Sequence, residues 1–202
     1  MKKWLPIIII VVLVIIGYNW AKGVNNTAIT NQENAKTAWS NVESAYQRRN
    51  DLIGNLVKTV QGAADFEKTT LTDVISARAK ATSTTIDAGN LSATNIAQFQ
   101  QAQAGLTSAL SKLMVVVEKY PNLKANQNFL ELQSQIEGTE NRINVARDRY
   151  NSSVSTYNIQ IRKFPASLLA GMFGFEKMER FKSNPGSENA PDVNFDFNSK
   201  SK

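Results

Sequence analysis

Neither cysteine nor histidine occurs among the 202 residues, and the two absences remove whole chemistries. Without thiolate or imidazole there is no soft metal site, no cysteine nucleophile and no triad built on an imidazole base. A hard cation would still need carboxylates clustered at defined spacing. Asp51, Glu67, Asp73, Glu131, Glu137, Glu140 and Asp148 are instead spread as helix-face charges beside Lys and Arg. Hydrolysis by paired carboxylates needs two groups held at separated pKa values in a cleft, and no such pair is marked by the spacing. A glycine-rich phosphate loop is also missing, because Gly171 and Gly174 lack both the pattern and a flanking strand. The expectation is a protein that is not an enzyme, with no catalytic, cofactor-binding or metal-ligating residues.

Charge of one sign does not run together either. Lys and Arg number 23 against 17 Asp and Glu, a net charge of +6. The basic pairs Arg48-Arg49, Arg162-Lys163 and Lys200 with Lys202 lie far apart, and acidic residues separate them. A nucleic-acid partner would call for a basic stripe with interleaved aromatics, so none is expected. Attraction to anionic lipid fits the modest excess better. Absent cysteine leaves the redox compartment open.

What the chain does have is one long uncharged run. Leu5 to Ile16 reads LPIIIIVVLVII, and no charge appears until Lys22. That is close to the roughly 20 residues a bilayer core requires. Trp4, Tyr18 and Trp20 bracket the run, where amphipathic rings prefer the headgroup level. A cleaved secretory signal is the rival reading, with Lys2 and Lys3 as its charged start. No small-x-small cleavage site follows, and a lipoprotein anchor would need cysteine. The pattern favours an uncleaved, single-pass anchor over residues 1–23 in the cell membrane. Lys2, Lys3 and the terminal amine set against Lys22 and Lys36 lean toward a bulk outside the cytosol.

Beyond the anchor, Gly and Pro are sparse as far as residue 165, and apolar residues recur in steps of three and four. Ala35, Trp39, Val42, Tyr46, Ile53, Leu56 and Val60 mark a first long helix over about 25–61. Asp65 is placed to cap a second carrying Leu71, Val74, Ile75, Arg78 and Ala81, unless the two form one bent helix. Thr82 to Asn95 is turn-rich and predicts a loop. Ser92 or Thr94 then caps a helix with Ile96, Phe99, Leu106, Leu110, Leu113 and Val117, ending at Tyr120-Pro121. The last long helix starts near Ala125 and carries Phe129, Leu132, Ile136, Ile143, Ala146, Tyr150, Tyr157, Ile161 and Phe164. Brief turns between helices predict an all-α fold, an N-terminal transmembrane helix followed by an antiparallel up-and-down four-helix bundle over 24–182. The polar stretch 183–202 predicts a disordered tail.

Several blocks together resemble the LemA family: Ala38-Trp39-Ser40 with Val42; Arg48-Arg49-Asn50-Asp51-Leu52-Ile53 with Asn55-Leu56-Val57; Thr59-Val60 and Gly62; Glu67, Leu71, Val74 and Ala77-Arg78; Tyr120-Pro121-Asn122-Leu123; Glu140, Asn141, Ile143, Ala146-Arg147, Tyr150-Asn151, Val154 and Tyr157-Asn158; and Phe164-Pro165. Two positions depart: Gly54 stands where the family has proline, and Phe66 where histidine is common. Any chemistry of that histidine does not apply to this chain. The resemblance implies a membrane location and a helical bundle but supplies no agreed activity. It also suggests a membrane or envelope protein as partner, a membrane metalloprotease being the expectation that gene association in the family raises.

Two sets of candidate residues follow. Arg48, Arg49, Asn55, Arg78, Asn141, Arg147 and Asn151 lie on or beside the seams, where they either fix helix register or grip a partner's carboxylate. Leu168, Leu169, Met172, Phe173, Phe175, Lys177, Arg180 and Phe181 belong to an amphipathic segment, Pro165 to Lys182. That segment either lies on the bilayer surface or folds back to plug the bundle. The sequence therefore predicts a membrane-anchored interaction or scaffold protein, with a protein acting on the bilayer itself as the alternative and the oligomeric state open.

Overall fold

A computed structural model describes residues 4–62 and 66–182. Its regular elements are all helices: α1 (Leu5–Gln61), α2 (Lys68–Ser83), α3 (Ala93–Val117), α4 (Pro121–Lys124), α5 (Gln127–Arg162) and α6 (Ala166–Met172). Asp65, expected to cap α2, and the tail 183–202 lie outside the described residues, as do Lys2 and Lys3. Glu67 occupies the N-cap of α2.

The expected break between anchor and bundle does not occur. One helix of 57 residues runs through both, about 85 Å at 1.5 Å per residue. Its proline, Pro6, stands in the first turn, where the missing N–H would be unpaired anyway. Past that point only isolated glycines weaken the helix, at about 1 kcal/mol each, too little to end it. The apolar window is uncovered by the other described residues. Burial begins at Ala28 and continues through Ala35, Trp39, Val42, Tyr46, Ile53, Leu56 and Val60.

α5 packs along this buried stripe in the opposite direction. Ala28 clusters with Tyr157 and Ile161, Trp39 with Tyr150 and Val154, and Leu52 to Val60 with Phe129 and Ile136. α2 and α3 close the far end, adding Val74, Leu106 and Leu113 to that last cluster. α1 and α2 are separate helices, which settles the bent-helix alternative.

Local chemistry sets the ends. The Ser92 hydroxyl accepts from the Asn95 amide to start α3, and the Asn126 side chain accepts from Phe129 to start α5. Between α2 and α3 the loop is shorter than its composition suggested, and it turns Ile86 and Leu91 inward. Two expected stripe residues face outward. Ile75 is 41% exposed, because Leu71, Val74 and Ala81 complete the inner face of α2 without it. Phe164 is 81% exposed. Pro165 disfavours helical geometry in the residue before it, and the chain is already extended at Lys163.

The segment after Pro165 is also not one helix. α6 ends after Met172 in a Schellman arrangement, in which Phe175 N–H donates to Ala170 O and Gly174 N–H to Gly171 O. Gly174 takes φ of 73°, a left-handed conformation that side chains rarely adopt. From that turn the chain runs back along α5 as a strap, residues 175–182.

Candidate functional site

The strap is held by its backbone. Asn158 clamps Met178 from both sides: its Nδ2 donates to Met178 O at 2.8 Å, and its Oδ1 accepts from Met178 N at 3.0 Å. Asn151 does the same to Phe181, at 3.3 and 2.9 Å. Tyr157 Oη donates to Glu176 O at 2.9 Å and Tyr150 Oη to Glu179 O at 2.7 Å. The end of the strap is fixed by Arg147 Nη2 and Gln100 Nε2, which both donate to Lys182 O.

One strap side chain is fully engaged. Phe181 is 6% exposed and stacks on Trp39, with centroids 5.5 Å apart and planes 17° apart. Tyr150 meets it edge-on, and the Arg147 guanidinium lies 4.7 Å from its ring centre. Phe181, expected at the membrane interface, therefore belongs to the core, because the returning strap carries it into a slot between Trp39 and Tyr150 of α5. Burial pushes the phenols of Tyr150 and Tyr157 up, and Glu179 and Glu176 respectively add to it, so both stay protonated donors.

The seam arginines separate into distinct environments. Arg49 is 3% exposed and donates to Glu140 Oε1 and Gln103 Oε1, each at 2.7 Å, and to Thr107 Oγ1 at 3.3 Å. Arg78 lies across Gly54 and donates from Nε to the Asn50 carbonyl at 2.7 Å. A side chain at 54 would meet that guanidinium at 3.0 Å. In an α-helix the Asn50 carbonyl pairs with the N–H of residue 54, so a proline there would leave it to Arg78 alone. Phe66 is buried against Tyr120, ring centroids 4.8 Å apart. Arg48, Asn55 and Asn141 are exposed. The structure thus joins Arg147 with Asn151 at the strap, sets Arg78 against α1 at Gly54, and brings Arg49 and Arg147 together at Tyr46, whose ring lies 5.0 Å from the Arg49 guanidinium.

The sequence places Tyr150 and Tyr157 on the buried stripe but does not mark them, or Asn158, as residues that hold the strap. Their signal was present as two Tyr-Asn pairs spaced by seven residues, two turns of one helix face.

At the opposite end of the strap, α6 packs beside Ala28 through Ala170. Leu168 (64%), Met172 (80%) and Phe173 (46%) are exposed there, and Leu169 and Phe175 are half-buried. Next to them, Arg162, Lys163, Lys177 and Arg180 line an open cavity of about 370 Å³. Only Lys177 of the four has an ion pair among the described residues, with Glu179 at 2.9 Å. No group of three or more acidic side chains positioned to hold a metal occurs among the described residues.

These features define an all-helical protein with one N-terminal helix long and apolar enough to cross a membrane. The chain belongs to the LemA family, whose sequence model matches residues 38–195. Similar proteins include Magnetosome protein MamQ 1 of Paramagnetospirillum magneticum, 30% identical across 81% of this chain. Magnetosome protein MamQ of Magnetospirillum gryphiswaldense is 29% identical across 81% of it. The chain spans 66% of the length of both. Protein LemA of Metamycoplasma hominis is 23% identical, covering 84% of this chain and 74% of its own. None of these names denotes a reaction.

Proposed function

We propose that this is a single-pass, membrane-anchored scaffold or interaction protein and not an enzyme. Leu5 to Ala21 of α1 crosses the cell membrane. The rest of α1 with α2, α3 and α5 forms an antiparallel up-and-down four-helix bundle whose α6 end rests on the bilayer, and the charge asymmetry around the span favours a bundle outside the cytosol.

The observation that carries this reading is the unbroken α1 together with the place where its burial begins. Ala28 stands seven residues past Ala21, about 10 Å of helix, so α6 sits at headgroup depth when the apolar run fills the bilayer core. Exposed Leu168, Met172 and Phe173 beside four cations form the amphipathic composition an anionic lipid surface attracts. A rigid link from span to bundle suits a protein that presents a surface at a fixed height. For the partner, family membership favours a membrane or envelope protein, a membrane metalloprotease among them. A protein that acts on the bilayer itself is the second reading, and the α6 patch favours it specifically.

Two measurements test this. Carbonate extraction should leave the native protein in the membrane fraction, and its release overturns the anchor. An environment-sensitive fluorophore at Met172→Cys, in a chain that otherwise has no cysteine, should shift in anionic vesicles relative to zwitterionic ones. An unchanged spectrum removes the lipid contact.

A further inference from the structure

The strap contacts have a regular pitch. Asn151 and Asn158 are seven residues apart on α5, as are Tyr150 and Tyr157, which is about 10.5 Å of helix. The strap residues they hold, Phe181 with Met178 and Glu179 with Glu176, are each three apart. Three residues of extended chain cover about 10 Å, so each interval of α5 reads three residues of strap with no drift. The two run in opposite directions, since the higher helix number meets the lower strap number.

This is how a groove recognises a peptide. The hydrogen bonds from Asn151, Asn158, Tyr150, Tyr157, Arg147 and Gln100 all end on main-chain atoms, which any sequence supplies. Selection falls to the side chains at three-residue steps: half-buried Phe175 and Met178, and Phe181 in the slot against Trp39. Of the residues between them, Glu176, Lys177 and Arg180 are exposed and unread, and half-buried Glu179 pairs with Lys177.

We propose that this face of α5 with Trp39 is a docking groove for an extended peptide of the pattern apolar-x-x-apolar-x-x-aromatic. The chain's own residues 175–182 occupy it in cis, and a partner protein's segment of the same pattern takes their place. The flanking geometry allows release. The strap joins the bundle through one turn at Gly174, while α6 is retained separately by buried Ala166 and Ala170. The inference deepens the interaction reading by naming the partner's chemistry, and it is independent of the lipid contact at α6.

The first part of the test keeps every groove residue. A protease site is inserted in the full chain between Met172 and Phe173, both exposed, and the purified protein in detergent is cut there. Cutting removes the high effective concentration of the tethered strap, so a fluorescent probe peptide of sequence FEKMERFK should exchange into the groove. The uncut chain should bind the same probe at least tenfold more weakly. A probe with alanine in place of its last phenylalanine should bind at least tenfold more weakly to the cut protein. Asn151→Ala and Asn158→Ala should each weaken probe binding about tenfold, since each removes two bonds to the probe backbone. Collapse of the helical circular dichroism on cutting would show that the strap is a structural part of the core, and the proposal fails. It fails equally if the cut protein stays folded, loses its strap and takes up no probe. Neither outcome touches the membrane anchor, which carbonate extraction tests separately.

Discussion

Removing Glu140 should destabilise the protein more than removing Arg49, although the two are ion-paired. The reason is the difference in exposure, 3% for the Arg49 side chain against 44% for Glu140. Glu140→Ala strands a guanidinium inside the bundle. Breaking a fully buried pair from one side costs about 3–5 kcal/mol. Here Gln103 Oε1 and Thr107 Oγ1 remain as acceptors, and water already reaches the carboxylate, so about 1–3 kcal/mol is the reasoned loss. Arg49→Met removes the charge, keeps an unbranched apolar stem and lets Glu140 turn to solvent. What it leaves is an unpaired Gln103 acceptor, worth about 1 kcal/mol. The double variant should match Arg49→Met alone, because the carboxylate matters only through the cation it neutralises. Urea denaturation of the full chain in detergent, followed by far-ultraviolet circular dichroism, gives all three values. A costlier Arg49→Met, or single effects that simply add in the double variant, would refute the view that the guanidinium is the buried liability.

Trp39→Ala should cost about 3–5 kcal/mol, because the ring is fully buried against Phe99, Tyr150 and Phe181; an unchanged denaturation midpoint would contradict that packing. Leu168→Asp with Met172→Asp should leave the midpoint unchanged, as both side chains are exposed, while abolishing the fluorophore shift at a neighbouring Phe173→Cys label in anionic vesicles. Glu43 gives a pH signature. Burial raises its carboxyl above the usual range, with Trp39 partly opposing, so the folded state favours the protonated form. The penalty is absent below the unfolded-state pKa and present above the folded-state one. Glu43→Gln should therefore gain stability over wild type as pH rises through the carboxylate range and show no gain at pH about 3; the opposite trend would reverse the sign of the shift.

The helices were legible because their apolar steps are regular and their breakers are few. Trp39, Val42, Tyr46, Ile53 and Leu56 announced both the existence and the inward face of α1. Continuity of α1 is not legible, since the change from an all-round apolar surface to a striped one looks like a boundary when it marks only where packing against other helices begins. The strap is only half legible for a related reason, since the sequence leaves open whether the segment lies on a bilayer or folds back. Leu168 to Phe181 carries apolar residues at spacings that suit a helix, and only the left-handed turn at Gly174 redirects them. Asn151 was noticed as a polar seam residue, but its partner is a main-chain unit thirty residues away, and such pairings leave no mark in local periodicity.

The proposed groove and the proposed anchor constrain each other through the length of α1. Trp39, where the aromatic slot lies, is eighteen residues past Ala21, about 27 Å above the end of the apolar run. Extended chain covers that height in about eight residues, so a juxtamembrane stretch of a neighbouring membrane protein is long enough to reach the slot. Direction adds a second condition. The strap starts at α6, beside Ala28, and ends at Trp39, so it runs N-terminal to C-terminal away from the end of the bundle nearest the apolar run. A ligand seated in its place must run the same way to meet the Asn158 and Asn151 clamps in order. A segment that follows a membrane span and leaves the bilayer on the bundle's side has that polarity, whereas one that precedes a span enters the groove backwards and loses the paired amide contacts.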